Sequence, residues 1–428
     1  MASGRLPRIL LRVGLAAALL GPAAVAHAHA VLLETSPAAG AFLERPPQAI
    51  ILRFNEPVRP IAVQVLRAEN AVSIELGAVQ AVNAEVRAPL PKDLPGGSYV
   101  LSYRVASADG HPVAGSFVFG VGQPGSPGTS ALAAGAGYDG FWRLVGVAAR
   151  SLWYGLLLLA AGMSLALALI RVPRELVPLL ERDLFRLAIA GVVAAPLMLA
   201  VEGGALLGGA PGSLLTAEPW RLAAGSPVAS TVACAFAGLG SLILGRRAPV
   251  RARRPVLLAG ALLVALSFGL SGHAATAAPH WITVPVLGLH ALCAAFWIGA
   301  LWPLLLLVLR LPRAEAKEKV RAFSSLALPA VACLVFAGTV LAVLQLESWS
   351  ALATTDYGRR LTLKLVLVAG LLGLAVINRL VLTPALDQRE RAVHWLKSTI
   401  KADLALAVGV VVLTASLGAV PPPRALAE

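Results

Sequence analysis

SYVLSYRVASADGHPVAGSFVFGVG, residues 98–122, reads as two extended runs around a turn. In its first part Tyr99, Leu101, Tyr103 and Val105 fall on one face of a strand and Ser98, Ser102 and Arg104 on the other, the period of two expected of a half-buried strand. GSFVFGV is a second such run, and Asp109–Gly110 between them is a common turn pair. Upstream, QAIILRF and IAVQVL repeat the pattern between Pro, Gly and Asn punctuation. Residues 29–122 are therefore expected to form a small all-β sandwich or Greek-key barrel of roughly seven strands, large enough to carry its own core. No disulfide framework supports it, because Cys234, Cys293 and Cys333 all lie in later apolar runs.

On either side of this segment the composition changes. Arg5, Arg8 and Arg12 precede an apolar run from Val13 to Leu20 that Gly21 and Pro22 interrupt, so residues 1–28 are expected to be a secretory signal peptide, too short for a stable membrane span. Residues 123–140, QPGSPGTSALAAGAGYDG, read as a flexible linker that would span roughly 20–25 Å as a coil. The whole chain of 428 residues is 58% apolar and 14% charged, with a mean hydropathy of +0.78, which makes it mostly a polytopic membrane protein. Residues 141–428 are expected to be all-α, with about eight transmembrane helices near 142–170, 184–209, 227–244, 255–272, 282–309, 323–346, 361–382 and 402–420.

The net charge of +14 does not point to nucleic acid. Residues 29–122 carry a net −1, the signal segment +3 and the remainder +12. That excess sits in alternate loops, RVPRELVPLLER, GRRAPVRARRP, RLPRAEAKEKVR and LDQRERAVHWLK, whereas the intervening loops hold only Arg221, then none, then Arg359 and Arg360. Basic loops stay in the cytoplasm, so the β-domain and the carboxyl terminus are expected on the periplasmic side of a bacterial inner membrane.

The chemistry begins at AVAHAHAVLLETSP, residues 24–37, where small residues before the cut allow His27 or His29 to open the mature chain. A first-residue histidine offers an amine of reference pKa near ~8 and an imidazole near ~6.5 to one metal ion, a chelate that suits tetragonal Cu²⁺. Asp109 and His111 alternate with Gly110, so in an extended segment they share a face and add a carboxylate and an imidazole. Taken alone, Asp109–Gly110–His111 reads first as an ordinary hairpin turn, because Asp-Gly is a common turn pair.

HAVLLETSPAAGAFLERPPQAIILRFNEPV, followed by SYRVASADGHPVAGSFVFGVG, resembles the periplasmic copper-binding CopC family. The resemblance aligns Pro37 with the family's opening proline and implies that His29, with its amine, Asp109 and His111 bind Cu(II), leaving His27 in the discarded segment. Some relatives carry a methionine-rich Cu(I) loop; here only Met1, Met163 and Met198 occur, none in the β-domain. In the membrane part SGHAATA (271–277), HALCAAFWIGALWPL (290–304), RAFSSLALPAVACLVFAGTV (321–340) and YGRRLTLKLVLVAGLLGLAVINR (357–379) resemble the CopD family. Relatives open the last span with a glutamate, and Asp403 stands there in this chain.

A copper pathway through the membrane part has four candidate residues. His273 and His280 belong to an outer loop and the outer edge of the fifth span; His290 lies ten residues beyond His280, about 15 Å deeper on a helix, with Cys293 at i+3. A thiolate there makes Cu(I) the suited ion, against Cu(II) in the β-domain. Trp297 and Trp302 read as packing or interface anchors, Asn378 and Arg379 as a helix-end pair with a snorkelling arginine, His394 as solvated, and Cys234 and Cys333 as small buried apolar residues.

The resulting expectation is a copper transporter, not an enzyme, whose tethered receptor captures Cu(II) and delivers copper to the membrane domain for uptake. Its partners would be copper, the lipid bilayer and a periplasmic copper chaperone or reductase, with the oligomeric state left open. Two alternatives stand beside it: a periplasmic sequestration or resistance protein, for which eight spans exceed what an anchor needs, and a transmembrane haem or metal reductase, for which paired histidines within the bilayer would be needed where only His290 lies at depth. No Walker A motif is present to specify energy coupling.

Overall fold

The computed structural model describes residues 30–70, 72–122, 138–273, 277, 279–346, 348–386, 388 and 390–425. The expected signal peptide, His27, His29 and linker residues 123–137 lie outside the described residues.

The first part of the chain is a two-sheet β-domain. Its strands are β1 (Leu32–Ser36), β2 (Phe42–Leu43), β3 (Ala49–Phe54), β4 (Arg59–Arg67), β5 (Ser73–Ile74), β6 (Gln80–Val82), β7 (Glu85–Pro89), β8 (Gly97–Ala106) and β9 (Pro112–Val121). One sheet has the order β1-β3-β7-β6 and the other β2-β9-β8-β4-β5. Alternate residues of the facing strands fill the core: Ile50, Leu52 and Phe54 from β3, Val86 from β7, Tyr99, Leu101 and Val105 from β8, and Phe117 and Phe119 from β9. Phe54 meets Tyr103 edge to face and Tyr99 stacks on Phe119.

The decisive stretch forms a long antiparallel hairpin, with Tyr103 opposite Gly115 and Ala106 opposite Pro112. Tyr99, Leu101 and Val105 are buried as their alternation predicts. The opposite face departs from expectation, since Ser98 and Arg104 are buried as well. For Arg104 the reason is contact with the helical region, where Nη2 lies 2.7 Å from Asp139 Oδ1 and Nη1 donates to the Ala205 carbonyl at 3.0 Å.

Eight long helices follow among the described residues: α1 (Asp139–Leu169), α2 (Val177–Leu207), α3 (Pro227–Gly245), α4 (Val250–Ser267), α5 (His280–Arg310), α6 (Arg313–Leu346), α7 (Asp356–Ile377) and α8 (Glu390–Leu417). Seven are long and apolar enough to cross a membrane. The exception is α4, whose 18 residues include Arg251, Arg253 and Arg254 in its first turns, although it packs against α1, α3 and α5. Several helices begin well before the apolar span that marks them: α6 at Arg313 rather than 323, and α8 at Glu390 rather than 402. Their first turns are rich in Glu, Lys, Arg and Ala, which favour helix whether or not they lie in lipid.

The α1–α5 crossing is backbone to backbone. A Cβ on Gly162 would fall 1.8 Å from the Ala295 carbonyl oxygen, and one on Gly299 would fall 2.5 Å from the Gly162 Cα. Small residues permit this approach where packing rather than water exclusion holds helices together. The start of α1, the end of α2, the start of α3, the α4–α5 connection and the end of α6 all meet beside the β-domain, as alternating spans require. The end of α8 is on this side too, because Arg150 of α1 donates to the Gly418 carbonyl at 3.1 Å.

Candidate metal centre

The centre grows out of the connection between β8 and β9. Ser107 and His111 close it, with Ser107 N donating to the His111 carbonyl at 2.9 Å and Gly110 N to the Ser107 carbonyl at 3.0 Å. Gly110 has φ +93°, which a side chain would strain, and a Cβ there would also meet Pro227 at 3.3 Å and Glu202 Oε1 at 3.4 Å. The loop is thus a turn that only glycine fits, pressed against the starts and ends of membrane helices.

Within the loop Asp109 is almost wholly enclosed, at 1% exposure. Its Oδ1 accepts from the Ser107 hydroxyl and from His111 N at 3.1 Å, and lies 3.1 Å from His111 Nδ1. The other oxygen, Oδ2, lies 2.9 Å from Nδ1 of His273, a residue 164 positions later in the α4–α5 connection. The rings of His111 and His273 stack at 4.9 Å with an interplanar angle of 27°. One donor atom from each of Asp109, His111 and His273 lies within 4.8 Å of the others, a spacing that a single metal ion can bridge. Two imidazoles and a carboxylate form a nitrogen-rich, sulfur-free set that suits Cu²⁺.

Both halves of this arrangement are anchored. Gln345 Nε2 at the end of α6 donates to the His273 carbonyl at 3.3 Å, and Thr231 Oγ1 of α3 donates to Ser271 Oγ at 2.8 Å, so the connection carrying His273 is tied on two sides. Across from it, Val31 N donates to Asn55 Oδ1 at 2.7 Å and Asn55 N to the Val31 carbonyl at 3.1 Å. The next residue, Glu56, accepts from Ala108 N at 3.2 Å. Those bonds bring Ala30 and Val31 to the side of the β-domain that carries the loop. A cleft of about 250 Å³, bordered by Pro57, Ser107, Gly110, Ser226 and Pro227, runs between the two parts of the chain.

The other candidate residues disperse. His280 is exposed at the first position of α5. His290 is half-buried against α6, its Nδ1 3.2 Å from the Leu334 carbonyl and its ring beside Gly338. Cys293 is buried on the same helix, and among the described residues neither joins a group of three metal-ligating side chains. Cys333 is exposed, which corrects the expectation that it is buried, because it lies on the outward face of α6; Cys234 is half-buried, with its thiol 3.4 Å from the Leu263 carbonyl. Trp297 is buried, and the more exposed Trp302 donates to Asp183 at 3.2 Å. Arg379 does not snorkel freely but donates to the Ser324 carbonyl and hydroxyl on α6 at 2.8 and 2.7 Å. His394 is exposed.

Glu202 was missed from sequence. It is buried at the end of α2, touches the Gly110 position, and keeps Oε1 without a hydrogen-bond partner among the described residues. The signal was present, since Glu202 is the one ionisable residue in the apolar run from Leu187 to Leu207, and an acid at membrane depth is a functional candidate by default.

Comparison with known proteins bears on both parts. Residues 32–122 match the CopC domain family, and residues 317–417 match the family described as copper resistance protein D. The chain is 27% identical over 424 residues to copper transport protein CutJ of Bacillus subtilis strain 168, covering 92% of this chain and 75% of that one. It is 32% identical over 111 residues to protein YobA of Escherichia coli strain K12, covering 25% of this chain and 88% of YobA. Crystalline CopC from Methylosinus trichosporium OB3b is 31% identical, matching 22% of this chain and 93% of that one with a TM-score of 0.20. The CopD match spans α6 to α8, while the likeness to CutJ runs on through the earlier helices. With a CopC domain and a CopD domain in one chain, on a multi-pass helical membrane region, this protein belongs to the CopC–CopD fusions of the copper transport and resistance proteins.

Proposed function

We propose that this protein carries copper into the cell, and that the receptor domain, residues 29–122, captures Cu(II) and delivers copper to the membrane domain, residues 141–428, through a site that both share. In this reading the β-domain and the carboxyl terminus face the periplasm, in keeping with the basic loops on the opposite side. Asp109 and His111 hold the ion from the receptor, joined by the amine and imidazole of His29 at the start of the mature chain. The pairing of Val31 with Asn55, next to Glu56 and its bond to Ala108, supports a short reach from that start to the loop.

One observation carries the proposal: His273, from the membrane domain, bonds to Asp109 and stacks on His111. A receptor that merely stored copper would complete its ligand set within its own fold. Here a donor from the transport domain stands among the receptor's donors, so transfer needs only an exchange of ligands within one coordination shell. Glu202, an acid at the membrane end of the same contact, is the next oxygen donor along the path. Delivery over such a distance asks little of affinity, because a tether holds the receptor at roughly millimolar effective concentration.

The test pairs spectroscopy with accumulation. In full-length protein in lipid nanodiscs, the electron paramagnetic resonance of bound Cu²⁺ should lose one nitrogen coupling in His273→Ala. Cells carrying that variant should accumulate less copper than wild type at low external copper, and a gene deletion should do the same. Unchanged nitrogen couplings together with wild-type accumulation would refute the shared site; raised copper in the deletion would refute uptake.

A further inference from the structure

Away from the metal centre, α8 carries an acid that the copper path does not use. Asp403 is 2% exposed, midway along the helix. Its Oδ2 is 3.3 Å from Asn378 Nδ2, and its Oδ1 has no hydrogen-bond partner among the described residues. The elements packed on α8 are α1, α5, α7 and the turn that follows α7. Among the described residues no charged side chain on these elements, Lys364 and Arg379 included, is hydrogen-bonded or ion-paired to Asp403. Arg379 is engaged with Ser324 on α6 instead.

Asn378 occupies a distinctive position. There α7 passes into a π-helical turn, Asn378–Leu382, closed by Thr383 N donating to the Asn378 carbonyl at 2.9 Å. Thr399 Oγ1 donates to Asn378 Oδ1 at 2.5 Å, which turns the amide nitrogen toward Asp403. Single π turns inside long helices concentrate at functional sites.

A buried carboxylate that receives one neutral hydrogen bond and no cation is too costly to remain an isolated charge, so it takes up a neutralising partner. A metal or sodium ion would need further oxygen donors, and Asn378 presents its nitrogen. The remaining partner is a proton on Oδ1. We propose that Asp403 is a proton-binding site at the α7–α8 contact, and that its protonation and release, Asp–COO⁻ + H⁺ ⇌ Asp–COOH, couple copper movement to the proton gradient. The coupling rests on the transport reading; the proton site does not.

Two measurements on the full chain separate these claims. Infrared spectra of copper-free protein in nanodiscs, taken across a pH series, should show a protonated carboxyl carbonyl stretch that disappears as pH rises. The Asp403 contribution to that band should be absent in Asp403→Asn, with any contribution of Glu202 retained, and shifted in frequency in Asn378→Ala, which keeps the acid but removes its hydrogen bond. In proteoliposomes, an imposed proton gradient should accelerate copper flux in wild type and have no effect in Asp403→Asn. Identical infrared spectra for wild type and Asp403→Asn at every pH would overturn the proton site. A band that behaves as expected, with copper flux that ignores the proton gradient or follows a sodium gradient, would overturn the coupling. A wild type that moves no copper under any gradient would count against the transport reading and the coupling together, with the infrared result still deciding the site.

Discussion

Replacing His273 by alanine should loosen the receptor from the membrane domain even without copper. The ring is 7% exposed, stacks on His111 at 4.9 Å and reaches Asp109 Oδ2 at 2.9 Å. A stacked aromatic pair contributes about 0.5–1.5 kcal/mol and a buried hydrogen bond to a charged acceptor about 1.5–3 kcal/mol. Both exist only while the domains touch, and undocking returns Asp109 to water. The variant should therefore lose roughly 2–4.5 kcal/mol of docking free energy, a shift of about 30- to 2,000-fold toward the undocked form.

Pulsed dipolar spectroscopy reads this directly. Spin labels at Val82 on β6 and at Leu215 in the α2–α3 connection, both exposed, report the separation of receptor and membrane domain once the native cysteines are replaced by serine. Wild type should give one narrow distance distribution; His273→Ala should add a broad, longer component. A narrow distribution that is the same in both proteins would show that the contact at His273 contributes nothing to docking, and the reasoning from it to a shared site would fail.

Other outcomes follow from the same geometry. Arg104→Ala, which removes the bonds to Asp139 and to the Ala205 carbonyl, should broaden that distribution while leaving the nitrogen couplings of bound Cu²⁺ intact at high occupancy, as measured by paramagnetic resonance. Because Cu²⁺ displaces protons from an amine and from two or three imidazoles, its affinity should fall by roughly five to six orders of magnitude from pH 7 to pH 5, and a flat competition titration would exclude nitrogen ligands. Amino-terminal sequencing should find His29 first, and one added residue ahead of it should weaken Cu²⁺ binding without altering the circular dichroism of the β-domain. His290→Ala should abolish copper accumulation with Cu²⁺ binding at the receptor retained, and Cys293→Ser should be milder; wild-type accumulation in His290→Ala would leave that ring as a structural bond to the Leu334 carbonyl.

The parts of this fold that were legible in the sequence share one property: each is announced by a period. Alternation in β8 foretold which side chains enter the core, and apolar runs foretold where helices lie. Strands of two residues, β2 and β5, are too short to show a period, which is why nine strands replace the expected seven or so. Helix ends escaped for a different reason. Hydropathy reports the thickness of the lipid slab, and the charged opening turns of α6 and α8 continue the helix beyond it. Asp109 and His111 could be singled out because one residue separates them. Their partnership with His273 could not, since a contact across 164 positions leaves no local pattern.

The hairpin-turn reading of Asp109–Gly110–His111 and the proposal that Asp109 and His111 are ligands are compatible. The turn sets the geometry that the proposal uses: Gly110 at φ +93° folds the loop tightly enough for Asp109 to accept from His111 N while its second oxygen faces His273. A metal site assembled from two bodies then has a thermodynamic consequence that a site within one body lacks. An ion that binds the docked form better than the undocked form stabilises docking by RT ln(1 + [L]/Kd), and by linkage docking raises affinity for the ion by the same factor. For the proposed site the expected outcome is that added copper tightens the contact between receptor and membrane domain and that a copper chelator weakens it. On the transport reading, occupancy of the Asp109–His111–His273 site tightens docking that the His273 contacts already supply, while the direction of the cycle comes from the copper and proton gradients.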